Sequence, residues 1–309
     1  MKKNVLTKLP VVWAAAGICC LLWGSAFPAI KIGYRLFEIE SSDTASIILF
    51  AGVRFFLAGV LTIFIFSLIQ RKLLIPTKES LPPVFVLSMF QTVIQYLFFY
   101  LGLAYTTGER ASVIQGSNVF VALIISCFIF KFESFKFNKL IGCALGFIGV
   151  VLVSLDVFKN SAVPSFTGEI MIFVSTVSYS FSSAFMKKYS ERFNPAMLSG
   201  WQFVIGGALM IAVSLLMGAS FSVVSVKGIL LLIYLAFVSA AAYSIWSILL
   251  KSNPVSRVTV CGSMTPVFGF ILSSLFAGDG QKVGLFGVFA LIFVASGIIA
   301  VNVPIDKKA

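Results

Sequence analysis

The side chains able to do chemistry in this sequence are sparse and sit inside apolar stretches. The third such stretch carries Gln91, Gln95, Tyr96 and Tyr100. On a helix, Gln91, Gln95 and Tyr96 share a face through their i, i+4 and i, i+5 spacing. The eighth stretch offers Tyr243, Ser244, Trp246 and Ser247, and the first and sixth add Trp23, Ser25, Ser178, Tyr179 and Ser182. Amides, hydroxyls and aromatic faces of this kind can wall a cavity and orient a small molecule inside it. A single aromatic serves equally well as packing or as a lipid-facing group, and most of the 33 phenylalanines are read that way. Glutamines are harder to dismiss, because an unpaired amide in an apolar medium is costly.

Arg54 is the only charge within a mid-stretch apolar run. It lies about eight residues into its stretch, or roughly 12 Å at 1.5 Å per residue. An arginine at that depth in hydrocarbon costs at least about 2.5 kcal/mol unless it is paired or faces water. Two roles fit. Arg54 faces a cavity, where it binds an anionic group or steadies a gate through Gln or Tyr, or it is structural and pairs with Glu109 or with helix-end carbonyls.

Other chemistries lack their residues. The chain has no histidine, and its acidic residues are dispersed singly over the connecting segments. No nucleophile with a base and no carboxylate pair is assembled, so an enzyme is not expected. No Walker-type glycine-rich loop is present for nucleotide-driven pumping. Cys19, Cys20, Cys127, Cys143 and Cys261 lie in apolar runs without CxxC spacing, which gives no metal, cofactor or disulfide signal. The net charge of +12 is scattered over short segments, with no basic stripe for nucleic acid. The expected partners are a small-molecule substrate and the lipid bilayer, and a monomer is sufficient for both.

The elements that must position these residues follow from composition. Hydrophobic residues make up 59% of the chain and charged residues 11%, with a mean hydropathy of +1.05. A soluble domain carries about 25% charged residues. Uncharged runs at 9–30, 111–130, 228–250, 258–278 and 283–305 match the roughly 20 residues that a helix needs to cross a bilayer. They show no period-two alternation, so the expected fold is all-α and polytopic rather than a barrel. Ten transmembrane helices are expected near 11–30, 46–70, 82–105, 111–130, 138–157, 168–187, 195–218, 228–250, 256–276 and 283–304. The first is read as a retained helix rather than a cleaved leader. With the N-terminus inside, 16 Lys and Arg fall in cytoplasmic segments and 6 outside, with Arg54 completing the 23. That asymmetry predicts a multi-pass cell-membrane protein with both termini cytoplasmic.

The halves resemble each other at an offset of 148 residues: Val119-Phe120 recurs as Val267-Phe268, Gly59 as Gly207, Gly149 as Gly297, and Glu133 as Gln281. Arg54-Phe55 answers Gln202-Phe203, which places Gln202 with the candidate cavity residues. Nearer the N-terminus the offset is 156, with Trp23-Gly24 answering Tyr179-Ser180 and Lys31 answering Lys187. Two halves, 1–160 and 161–309, follow. Five spans per half is odd, so the second must enter from the opposite side, giving two inverted five-helix repeats with the substrate site at their interface. Gly142, Gly146 and Gly149 read as close helix packing or as a moving hinge. Lys31 and Lys187 read as snorkelling cations or as electrostatic attraction for an anion.

The segment Leu21–Lys31 (LLWGSAFPAIK), Arg54-Phe55, Ala111-Ser112, Asn118-Val119-Phe120, Glu133 and Gly142 to Gly149 together resemble the drug/metabolite transporter superfamily in its EamA-type form. The second copy runs from Thr259 through Pro266-Val267-Phe268 to Gln281 and Gly297. Asn118 stands where that family usually has proline, and Gln281 where it has an acid. The resemblance implies secondary transport of metabolites, amino acids or drug-like compounds, by export or exchange, without ATP.

Overall fold

The computed structural model describes residues 5–40, 42–103, 105, 111, 114–158, 166–276 and 285–302, and every regular element among them is a helix. A 3-10 turn, Val5–Thr7, leads into α1 (Leu9–Leu36), which starts on Pro10 and contains Pro28. α2 spans Thr44–Gln70, capped where the Asp43 carboxylate accepts from the Ser46 N–H at 2.9 Å. α3 is a bent rod, α-helical over Leu81–Leu87, π-helical over Ser88–Ile94 and α-helical again over Gln95–Leu103. α4 covers Ile114–Ile129 and also ends in a π turn, Ile125–Ile129. α5 spans Phe137–Phe158 and α6 Phe166–Ser190. α7 (Pro195–Leu216) has Asn194 as its cap, and α8 (Val226–Ser252) has Ser225. α9 is broken, running Val255–Thr259, a 3-10 turn at Val260–Ser263, and Met264–Phe276. α10 is Leu285–Asn302.

Six of these helices are long and apolar enough to cross a membrane: α1, α2, α3, α6, α7 and α8, while α4, α5 and α10 contain shorter apolar helices. Their outer faces are apolar. Phe64, Leu68, Ile69, Phe173, Leu230 and Phe237 are exposed, and Leu216 is 90% exposed. Only lipid makes such a surface stable, and helices satisfy their own backbone hydrogen bonds within it. The chain is a multi-pass membrane protein.

Because lipid is as apolar as the helix faces, close packing must hold the helices together. α2 packs most extensively on α7, and α5 on α10. A Cβ on Gly59 would lie 2.6 Å from the Gly200 carbonyl, and one on Gly207 would lie 2.9 Å from the Gly52 carbonyl. At the second seam, a Cβ on Gly297 would meet the Gly142 carbonyl at 2.6 Å, and one on Gly149 the Ala290 carbonyl at 2.9 Å. Only glycine permits this approach. As numbers rise along one helix of each pair, their contacts fall along the other, so both pairs run antiparallel. Gly146 instead faces Ser263 of α9. Around these seams α1 packs on α8 and α9, and α6 on α3 and α4.

One local expectation needs correction. α1 continues six residues past the expected end at 30, because Lys31 and Arg35 ride on its exposed side without breaking it. Of the two α3 amides, Gln95 lines a central cavity and Gln91, within the π turn, does not. Glu109, the proposed partner of Arg54, and Gln281, the counterpart of Glu133, lie outside the described residues, as do both chain ends.

Candidate functional site

A central cavity of about 210 Å³ is bounded by side chains from both halves of the chain. α1 brings Trp23, Ala26 and Ile30, and α2 brings Arg54. The upper part of α3 brings Gln95, Tyr96, Phe99 and Tyr100, and the first turns of α4 bring Gln115, Gly116, Asn118 and Val119. Val150, Thr176, Tyr179 and Tyr243 come from α5, α6 and α8, and the broken part of α9 adds Thr259, Gly262, Ser263, Thr265 and Pro266.

Aromatic packing fixes the walls. Trp23 meets Tyr243 edge-on, with ring centroids 5.0 Å apart, and Trp246 at 4.9 Å. The hydroxyls of Tyr96 and Tyr243 lie 2.9 Å apart, joining α3 to α8 across the two halves. Behind them Phe55 and Phe203 stack at 5.3 Å on α2 and α7. Such ring pairs favour offset or edge geometries, each adding about 0.5–1.5 kcal/mol. Arg54 is buried, and its Nε donates to Ser239 Oγ at 3.1 Å.

Seven of the fifteen residues named from the sequence as cavity candidates line this one: Trp23, Arg54, Gln95, Tyr96, Tyr100, Tyr179 and Tyr243. Ser178, Ser182, Ser244 and Ser247 do not, and four others have places of their own. Ser25 Oγ donates to the Leu22 carbonyl and lies 2.7 Å from the Tyr234 hydroxyl, at the α1–α8 contact. Gln91 is buried in the π turn, away from the cavity. The Gln202 Oε1 accepts from Thr92 Oγ1 at 3.0 Å and so belongs to the α7–α3 contact. Trp246 is buried behind Trp23. The residues missed by the sequence reading cluster in α4, where the Asn118 Oδ1 accepts from Ser180 at 2.6 Å, and around the break in α9. Gly262 and Pro266 were the available signal there, since broken helices commonly line transport sites.

Polar clusters away from the cavity tie helix ends together, and the first of them joins the halves. Glu133 follows α4 and accepts from Ser126 Oγ at 2.6 Å, from Lys139 Nζ at 2.5 Å, and from the Ser256 N–H at 3.0 Å in the first turn of α9. Burial works to raise its carboxyl, but Lys139, Ser126 and Ser256 outweigh burial and hold it below the ordinary carboxylate value. Lys187 donates to the carbonyls of Leu250 and Asn253, at 3.2 and 2.8 Å, at the C-terminal end of α8. A cation there complements the helix dipole. Lys31 is exposed.

An all-helical membrane bundle around an aromatic and polar cavity fits the class of membrane transporters. The EamA-like transporter family matches residues 11–155 and again 166–303, and the chain belongs to that family. An uncharacterized transporter of Archaeoglobus fulgidus is 31% identical over 194 residues, which is 63% of this chain and 64% of the relative. A second from that organism is 27% identical over 90% of this chain and 92% of its own. The uncharacterized transporter YvbV of Bacillus subtilis is 25% identical over 91% and 88%. A solved structure described only as a crystal structure of protein shares the fold, with a TM-score of 0.77 at 14% identity over 95% of this chain and 96% of that one.

Proposed function

We propose that the chain is a secondary transporter that exports or exchanges a small metabolite by alternating access, without ATP. In this reading it crosses the membrane ten times as two inverted five-helix repeats, 1–160 and 161–309, with both termini cytoplasmic and the site between them. The observation that carries it is the cavity to which both halves contribute side chains. The glycine seams support the inversion. The offset of 148 converts the Gly59–Gly200 contact into the Gly207–Gly52 contact, and Gly149–Ala290 into Gly297–Gly142. Such reciprocity is the mark of a two-fold axis. At about 210 Å³ the cavity is smaller than the roughly 300–1,000 Å³ of drug-sized sites, which favours a metabolite over a drug-like compound. Counterflow of a labelled metabolite panel into proteoliposomes tests the proposal. Saturable, protein-dependent exchange of at least one solute is expected, and a panel that moves no faster than through empty liposomes would sink it.

A further inference from the structure

The charge balance of the cavity points to a class of solute; this inference rests on the transporter reading above. Arg54 lines the cavity and is 5% exposed, yet among the described residues its guanidinium makes one hydrogen bond, to the neutral Ser239. A guanidinium offers five N–H donors. No carboxylate pairs with Arg54 among the described residues, where the ion pairs are Lys139–Glu133 and Arg192–Glu79. None of the described cavity-lining residues is acidic. The Phe55 ring, 5.2 Å from Cζ, and the Tyr96 and Tyr243 hydroxyls in its field supply dipoles but no opposite charge.

A neutral residue serves at the matching place in the other half. Gln202 holds the counterpart position on α7 and accepts from Thr92 on α3, while Arg54 donates to Ser239 on α8. Packing between these helices therefore does not by itself require a charge. A buried cation with no counter-charge among the described residues carries a desolvation cost that a bound anion offsets.

We propose that Arg54 is an anion anchor and that the transported solute is a small aromatic or planar monocarboxylate without an ammonium group. The guanidinium fork matches a carboxylate bidentately. Trp23, Phe99 and Tyr179 offer ring surfaces for the planar body. A single cation balances one negative charge, and the described lining has no acid to receive an ammonium.

The full chain, purified and reconstituted, is tested with benzoate, its neutral isostere benzamide, and the zwitterion L-phenylalanine. Binding is read by tryptophan fluorescence and thermal stabilisation, and movement by counterflow of labelled benzoate. Benzoate should bind at least about 10-fold more tightly than either comparison compound. Arg54→Gln should weaken benzoate by roughly 30-fold or more and benzamide far less, and Arg54→Lys should retain part of the preference. Equal binding of benzoate and benzamide, tighter binding of L-phenylalanine, no binding of benzoate, or a folded Arg54→Gln protein that keeps full benzoate affinity would each overturn the assignment. If Arg54→Gln does not fold, the wild-type ranking and Arg54→Lys decide. Arg54-dependent binding without counterflow would instead defeat the transport reading and leave the anchor standing. Counterflow of another solute with no carboxylate preference would do the reverse.

Discussion

Glu133 shows how much one buried carboxylate can hold together. Its side chain is 6% exposed, and it meets Lys139 of α5 and Ser256 of α9 at once. Its carboxyl is held below the ordinary value of 4.5, so the stability it contributes is complete above that value and is lost as pH falls through its lowered pKa. Glu133→Gln keeps the shape but leaves Lys139 without its counter-ion, which should cost roughly 3 kcal/mol. Thermal unfolding from about pH 3 to pH 7 should show the wild type losing its advantage only at the acid end, with the variant flat over that step. A variant as stable as wild type at pH 7 would refute this account. At this scale the sequence was half legible. Glu133 was visible as a motif residue, but Ser256, 123 positions away, is a partner that only the fold supplies. Arg54 was legible because a charge in an apolar run has few explanations, whereas its contact with Ser239 was not.

At the scale of the element, the length of the uncharged runs gave the helices, while local changes of helix type within them stayed hidden. The amides of α3 were visible as polar residues in an apolar stretch. The π turn between them was not, since the residues Ser88–Ile94 carry no proline or glycine to announce it. In a background lacking native cysteines, Gln95→Cys should react with a water-soluble thiol reagent, whereas Gln91→Cys and Gln202→Cys should resist it. Equal labelling at positions 91 and 95 would mean that Gln91 also meets the cavity. The five native cysteines are all buried, so the unmodified protein should label slowly. The glycine seams make a sharper prediction. A Cβ at Gly207 would sit 2.5 Å from the Phe56 backbone nitrogen, while one at Gly17 meets nothing within 4 Å. Overpacking typically costs about 1–3 kcal/mol. Gly207→Ala should therefore lower the melting temperature clearly, and Gly17→Ala should leave it unchanged or raise it. The break in α9 could have been suspected from Gly262 and Pro266, but its part in the cavity depends on α1, α4 and α6 closing around it.

For the molecule as a whole, the proposed inverted arrangement turns local contacts into a statement about sides of the membrane. A half that simply followed the other in the same orientation would place equivalent helices parallel. α2 against α7 and α5 against α10 instead run antiparallel, each through contacts that the offset of 148 maps onto one another. Equivalent helices pointing opposite ways require an odd number of crossings per half, and two odd halves return the chain to its starting side. In the proposed arrangement the distribution of cations, 16 Lys and Arg against 6, is what favours cytoplasmic termini. A reporter active only in the cytoplasm should therefore be active when fused after Ala309 and silent when fused after Asn160, while a reporter active only outside should show the opposite pattern. The two sites test different parts of the arrangement, because Ala309 reports total parity and Asn160 the parity of the first half alone. If Ala309 reads outside, the inverted repeat fails. If both sites read inside, the first half crosses an even number of times, and the antiparallel seams then need an origin other than a two-fold axis in the membrane plane.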